Sequence, residues 1–469
     1  MNRMPYQLIA LVFLLPAVLW AGEGVSVSLS VQAVRIQDAV TAKLSNKAQW
    51  VFIAGEVESG KTIVSAGSAG DTAFVPGSLM KLFISGAALE KNSKVPFDLS
   101  AVVATEGKIK RGTLTGNVII RGGGNALLST KDLNVAVEKL KARGIARING
   151  DIIADDSLFD VKGWKASYSG PAYGVPSALG LDLHTVSITA EGSTQRVLID
   201  PPNDAVKVSF SPSGKPGVRQ IDDLTYEMTG AVPDAPVVRS RFLLADPALY
   251  AGGTFLTLLR KAGVEITGSV KRRTSPSPQP SPSRGEGDRR FAEIARIGSQ
   301  DINAFIRDTN QESLNAAADN LLFLLGSSTS GAPGTREHGI QAVNDFLGEV
   351  GMPLDGLVID DGSGVSERNR VSAQQIVTFL RVVAKKSWFN SFYESLSRPG
   401  MDGRLRDSGY RSDRMRAKLG QVHNAYCLAG YVDQRNGGRT AFAFMVNGPD
   451  ANTPAASNAA VEVLKQLEQ

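Results

Sequence analysis

A chain of 469 residues with one cysteine, Cys427, cannot build an intrachain disulfide framework. The apolar run Ala425–Val432 around it makes that thiol a buried structural one rather than a nucleophile. Histidine is almost as sparse. His184, His338 and His423 are too scattered for metal-ligand spacing, so neither a metal nor a cofactor is expected. A dominant charge sign is lacking as well: 51 Lys and Arg against 46 Asp and Glu leave +5, which makes no case for a nucleic-acid partner. No apolar run reaches the ~18 residues that a membrane-spanning helix needs. The run from Leu8 to Leu19 is too short; following Arg3 and preceding Ala21-Gly22, it reads as a secretory signal peptide over residues 1–21. The protein is therefore expected to be exported, to the periplasm.

What the sequence does contain is a single Ser-x-x-Lys, Ser78-Leu79-Met80-Lys81. Pro76-Gly77 breaks the preceding segment, and Leu79, Leu82, Phe83, Ala87 and Leu89 have helical apolar spacing. Residues three apart on a helix share a face, which sets an amine beside a hydroxyl. A Ser hydroxyl needs an adjacent base to become a nucleophile, and a desolvated Lys can lose its proton near neutral pH and serve as one. Ser78 and Lys81 are the candidate nucleophile and base. Farther along, Ser313-Leu314-Asn315 lies within an apolar pattern (Ile302, Phe305, Ile306, Ala316, Ala317, Leu321, Leu322, Leu325) that predicts one helix ending at Gly326. Beside Ala316-Ala317-Ala318 these polar side chains are expected to be buried and to need partners. Lys-x-Gly is a weaker pattern, present at Lys110, Lys215, Lys261 and Lys418, and only Lys418-Leu419-Gly420 follows Ser313. It leads into a predicted hairpin, Ala425–Val432 and Ala441–Val446, turning at Asn436-Gly437-Gly438.

These segments, in this order, resemble the class C low-molecular-mass penicillin-binding proteins, which are D-alanyl-D-alanine carboxypeptidases/endopeptidases. The resemblance runs from about Val40 to Asn447. It is also carried by Gly116-Asn117-Val118-Ile119-Ile120-Arg121-Gly122-Gly123-Gly124, by Gly150-Asp151-Ile152-Ile153-Ala154-Asp155-Asp156, and by Gly163-Trp164 and Tyr173-Gly174. Asn310-Gln311-Glu312 with Ala318-Asp319, Asp361-Gly362-Ser363-Gly364 and Leu428-Ala429-Gly430-Tyr431-Val432 complete it. The resemblance implies an α+β serine penicillin-binding/β-lactamase-like domain, an antiparallel sheet with helices on both faces, interrupted by a β-rich inserted region. Residues 23–97 and 292–469 would form that domain, 98–273 the insertion, and 274–290, rich in Ser and Pro, a disordered linker.

The same resemblance implies roles. Ser78 is acylated by the D-alanyl-D-alanine carbonyl while Lys81 takes its proton. Ser313 relays a proton to the departing amine, Asn315 holds the substrate amide, and Lys418 neutralises the terminal carboxylate. The backbone N–H groups of Ser78 and Gln421, the latter after Gly420, form the oxyanion hole. Asp155 either reads an amino group on the stem peptide or is a turn or cap carboxylate. Peptidoglycan stem peptides are the implied substrate and β-lactams the implied inhibitors. Leu419 departs from the family pattern, which has a hydroxyl residue there. Two functions stay open on that account: an active carboxypeptidase/endopeptidase, or a degenerate member that binds cell-wall peptide without efficient turnover.

Overall fold

The computed structural model describes residues 25–167, 174–191, 196–211, 215, 217–230, 238–274 and 291–468. The expected signal peptide over 1–21, Tyr173 and all but Thr274 of the expected linker lie outside the described residues.

Five antiparallel strands carry the site, in the order Met415–Val422, Ala425–Asp433, Arg439–Asn447, Gln49–Glu56, Thr62–Gly67. Successive side chains point to opposite faces of a strand, and both faces of this sheet are buried. Val51, Ile53, Cys427, Ala429, Tyr431, Ala441, Ala443 and Met445 join one core with residues of helices Met80–Lys94, Asn315–Ser330, Arg336–Glu349 and Ala373–Val383. Trp50, Phe52, Tyr426, Leu428, Val432, Phe442, Phe444 and Val446 join the other with helices Val25–Thr41 and Pro454–Leu467. An α+β domain with helices on both faces of an antiparallel sheet is what the chain forms. Cys427 is fully buried, and burial pushes its thiol pKa up, which leaves it inert as a nucleophile.

The chain leaves this unit after the Met80–Lys94 helix and re-enters it at the Ile302–Gln311 helix. Between them stands a seven-stranded sheet in which Ala101–Lys110 pairs on one side with Thr113–Arg121 and on the other with Phe291–Ile297. The strand Phe291–Ile297 thus belongs to the inserted sheet, and the domain boundary expected at 292 shifts to the following helix. A strand joins a sheet through partners distant in sequence, which its own residues do not specify. Helices Thr130–Ala142 and Pro247–Lys261 pack on this sheet. The second opens as expected, the Asp246 carboxylate accepting the Leu249 N–H at 3.0 Å with Pro247 at the first helical position. Two three-stranded sheets complete the insertion: Thr185–Glu191 with Arg196–Asp200 and Val238–Leu243, and Thr225–Thr229 with Lys207–Ser211 and Gly217–Asp222.

The helix expected across 302–326 is two helices, Ile302–Gln311 and Asn315–Ser330, and the second ends at Gly331 in the left-handed conformation rather than at Gly326. The break lies at Ser313, held at a left-handed φ of 58°. Apolar periodicity continues across the break because both helices face the same core, so spacing alone could not reveal it.

Candidate active site

Ser78 sits in a short 3-10 turn, Gly77–Leu79, that runs straight into the Met80–Lys94 helix. Lys81 lies one turn on, fully buried, and its ammonium has three partners. Nζ donates to Ser78 Oγ at 2.9 Å, to Asn315 Oδ1 at 2.9 Å and to the carbonyl of Ser363. A lysine has three donors, so the charged form is fully satisfied. On losing a proton it can keep the Asn315 and Ser363 bonds and turn its lone pair to the Ser78 hydroxyl. Burial lowers its pKa to about 8, against the opposing pull of the Asp319 and Asp361 carboxylates. The amine is thus poised to act as a base near neutrality.

Both aspartates belong to segments that carry the family resemblance, and both act on the surroundings of Lys81. Asp319 is four residues beyond Asn315, one helical turn farther along the same face. Its Oδ1 accepts the N–H groups of Gly362 and Ser363 at 3.0 and 2.8 Å. Burial and the neighbouring Asp361 carboxylate push its pKa well up. Asp361, fully buried, accepts the N–H of Gly364 at 2.7 Å, that of Ser366 at 2.8 Å and the Asn369 amide at 2.9 Å. These bonds fold the 361–366 loop so that the Ser363 carbonyl points at Lys81. Gly364 completes the fit: any Cβ there would lie 2.0 Å from the carbonyl of Gly77.

The left-handed turn at Ser313 projects its hydroxyl to Lys418, whose Nζ donates to Ser313 Oγ at 2.9 Å and to the Leu419 carbonyl at 2.8 Å. Non-glycine residues rarely hold such backbone, and strain of this kind concentrates at functional sites. Lys418 is buried, and burial, then the charges of Lys81 and Arg404, hold its pKa well below that of an ordinary lysine. It lies on Met415–Val422, the edge strand of the sheet. Gly420 lets that strand approach the nucleophile, since a Cβ would lie 2.3 Å from the Pro76 carbonyl and 3.0 Å from the Leu79 nitrogen. The Gln421 nitrogen is close by, 2.9 Å from where a Cβ on Gly77 would stand.

Ser78, Lys81, Ser313, Asn315, Lys418 and Gly420 therefore come together from three separate stretches of chain. Asp155 does not join them. It is 1% exposed at the end of Ile152–Asp155, accepting the Ser157 N–H at 3.1 Å and lying 3.9 and 4.0 Å from the Arg273 and Arg121 guanidinium groups. These are the surroundings of a turn and ion-pair carboxylate, the second of the two roles expected for it. Leu419 also differs from expectation. Strand alternation places it with Met415 and Ala417, half-buried against the core of the terminal helices, on the face opposite Lys418 and Gly420.

Residues 33–467 match the family model described as D-Ala-D-Ala carboxypeptidase 3 (S13). The chain is 28% identical over 427 residues to a D-alanyl-D-alanine carboxypeptidase of Actinomadura sp. (strain R39), covering 84% of this chain and 77% of that one. It is 24% identical over 444 residues to the D-alanyl-D-alanine carboxypeptidase DacB of Haemophilus influenzae, covering 87% of each. Penicillin binding protein 4 of Haemophilus influenzae shares the fold, with a TM-score of 0.76 at 22% identity over 92% of this chain and 99% of that one. That protein has also been solved in complex with a β-lactam.

Proposed function

The chain belongs to the D-Ala-D-Ala carboxypeptidase 3 (S13) family, and we propose that it is a penicillin-sensitive serine D-alanyl-D-alanine carboxypeptidase/endopeptidase acting on peptidoglycan stem peptides through an acyl-enzyme at Ser78. The observation that carries the reading is the buried Lys81 amine, 2.9 Å from Ser78 Oγ with a pKa near 8.

Neutral Lys81 removes the Ser78 proton as Oγ attacks the carbonyl carbon of the penultimate D-alanine. The N–H groups of Ser78 and Gln421 receive the negative charge that develops on the carbonyl oxygen. The departing nitrogen of the terminal D-alanine takes a proton from the Ser313 hydroxyl, which is replenished through its hydrogen bond with Lys418. Collapse of the tetrahedral intermediate breaks the C–N bond and leaves an ester on Ser78. Once the Lys81 ammonium has released its proton to solvent and Lys418 has regained one, Lys81 takes a proton from the water that attacks the ester. It passes that proton to the Ser78 oxygen as the C–O bond breaks, and the shortened peptide leaves. A β-lactam would follow the first half of this path and stay attached. Asn315, already holding Lys81 through its oxygen, keeps its NH₂ for the substrate amide.

We further place the enzyme in the periplasm, where its substrate lies. The support is Arg3 and the apolar Leu8 to Leu19 run that follows it. The test of function is release of D-alanine from a pentapeptide ending in D-alanyl-D-alanine. Release by the unaltered protein and none by Ser78→Ala is expected; release that survives Ser78→Ala would overturn the reading.

A further inference from the structure

A substrate ending in D-alanine brings a free carboxylate to the Lys418 side of the cleft, and the donors there are few. Lys418 has three protons, and two are committed to Ser313 Oγ and the Leu419 carbonyl. Leu419 has no donor in its side chain and is turned to the opposite face. One remaining N–H is too little for two carboxylate oxygens, which together accept about four hydrogen bonds.

Resting on the function proposed above, we infer that Arg404 anchors the substrate's terminal carboxylate. Arg404 belongs to the short turn Gly403–Leu405, pinned on both sides to the catalytic machinery. On one side Gly403 packs closely enough on the end of Ile302–Gln311 that a Cβ would lie 2.5 Å from the Gln311 carbonyl, two residues before Ser313. On the other, Leu405 is buried in a core with Met415 and Ala417. Ser397 and Ala417 exchange backbone hydrogen bonds of 3.0 and 2.8 Å beside it, tying the segment to the residue before Lys418. The Arg404 side chain between these anchors is exposed and has no hydrogen bond or ion pair among the described residues. The adjacent Asp402 does not neutralise it, being engaged by the Arg398 N–H and guanidinium at 2.6 and 2.7 Å. Its charge reaches the buried Lys418 amine, so the two cations share one field. A guanidinium binds a carboxylate through two parallel N–H bonds, a geometry a lone ammonium cannot supply.

The test compares substrates with and without the carboxylate in the full-length protein. Kinetics are measured on a pentapeptide ending in D-alanyl-D-alanine and on the same peptide with a C-terminal amide. Ser78 acylation is measured with a penicillin and with its carboxylate methyl ester. Arg404→Ala should lower kcat/KM on the acid about 10- to 100-fold, chiefly through KM, as expected for a lost charge-assisted contact. The amide and the ester should change less than about twofold. Arg404→Lys should recover part of the loss and Arg404→Glu deepen it. An equal loss on acid and amide, or no loss on the acid and the penicillin, overturns the inference while leaving the proposed function intact. An unaltered protein that neither releases D-alanine nor acylates Ser78 overturns both.

Discussion

The pH dependence of Ser78 acylation follows from the burial of Lys81. With a pKa of about 8, the neutral fraction of this amine is about 1% at pH 6, about 10% at pH 7 and about half at pH 8. If the neutral amine is the base, the second-order rate of acylation by a penicillin should rise about fiftyfold from pH 6 to pH 8 and then level off. The sign is fixed by the direction of the shift. An ordinary exposed lysine would still be gaining base at pH 10, whereas the depressed pKa brings the plateau down near pH 8. Lys418, its pKa also held low by burial and by Lys81, loses its charge as pH rises, which weakens the hold on a substrate carboxylate. That loss should depress acylation by a penicillin and depress it much less for its methyl ester. The assay is the time course of fluorescent penicillin attachment in a series of buffers at constant ionic strength. A profile flat between pH 6 and pH 8, or one falling with pH, would refute Lys81 as the base.

Three substitutions test the supporting geometry. Gly420→Ala should push the edge strand off the nucleophile turn and slow acylation about a hundredfold, the scale of an ångström-sized misplacement; acylation unchanged by the added methyl would contradict the close approach. Asp361→Ala strands the N–H groups of Gly364 and Ser366 and the Asn369 amide, and denaturant unfolding should show a loss of roughly 3 kcal/mol or more; a loss under about 0.5 kcal/mol would show the loop to be held otherwise. Leu419→Thr should change D-alanine release less than about threefold, because its side chain packs away from Lys418; a tenfold gain would mean that a hydroxyl there reaches the substrate.

How much of this was legible in the sequence depended on how local each feature is. Ser78 and Lys81 share one helical turn, so their spacing alone set hydroxyl and amine together. The hairpin after Lys418 was legible from its Asn-Gly-Gly turn and flanking apolar runs, and the strands Ala425–Asp433 and Arg439–Asn447 pair in register from Asp433↔Arg439 to Ala425↔Asn447. Ser313 and Asn315 were found by their order in the chain, yet their geometry was hidden, because one apolar stripe runs through two helices and conceals the left-handed residue between them. Asp319 had a signal that went unused, its i+4 offset from Asn315. Asp361 had none beyond its glycine-rich loop, since its bonds to Gly364 and Ser366 form only once the loop folds. The surroundings of Asp155 were hidden for a related reason: Arg121 and Arg273, which lie beside it, come from strands far apart in the chain. The strand Phe291–Ile297 shows the same limit, since its partner Ala101–Lys110 lies almost two hundred residues away. Arg404 has no sequence signal because nothing near it in the chain points to Lys418; the pairing of Ser397 with Ala417 and the packing of Leu405 with Met415 and Ala417 bring its turn to that strand.

The central claim is that Ser78 is the residue acylated, with Lys81 as its base. Peptide mapping by mass spectrometry after reaction with a penicillin tests it most directly. The account predicts a penicilloyl adduct on the peptide containing Ser78, absent in Ser78→Ala and lost or greatly slowed in Lys81→Ala. An adduct on another residue, or undiminished labelling of Ser78→Ala, would contradict it.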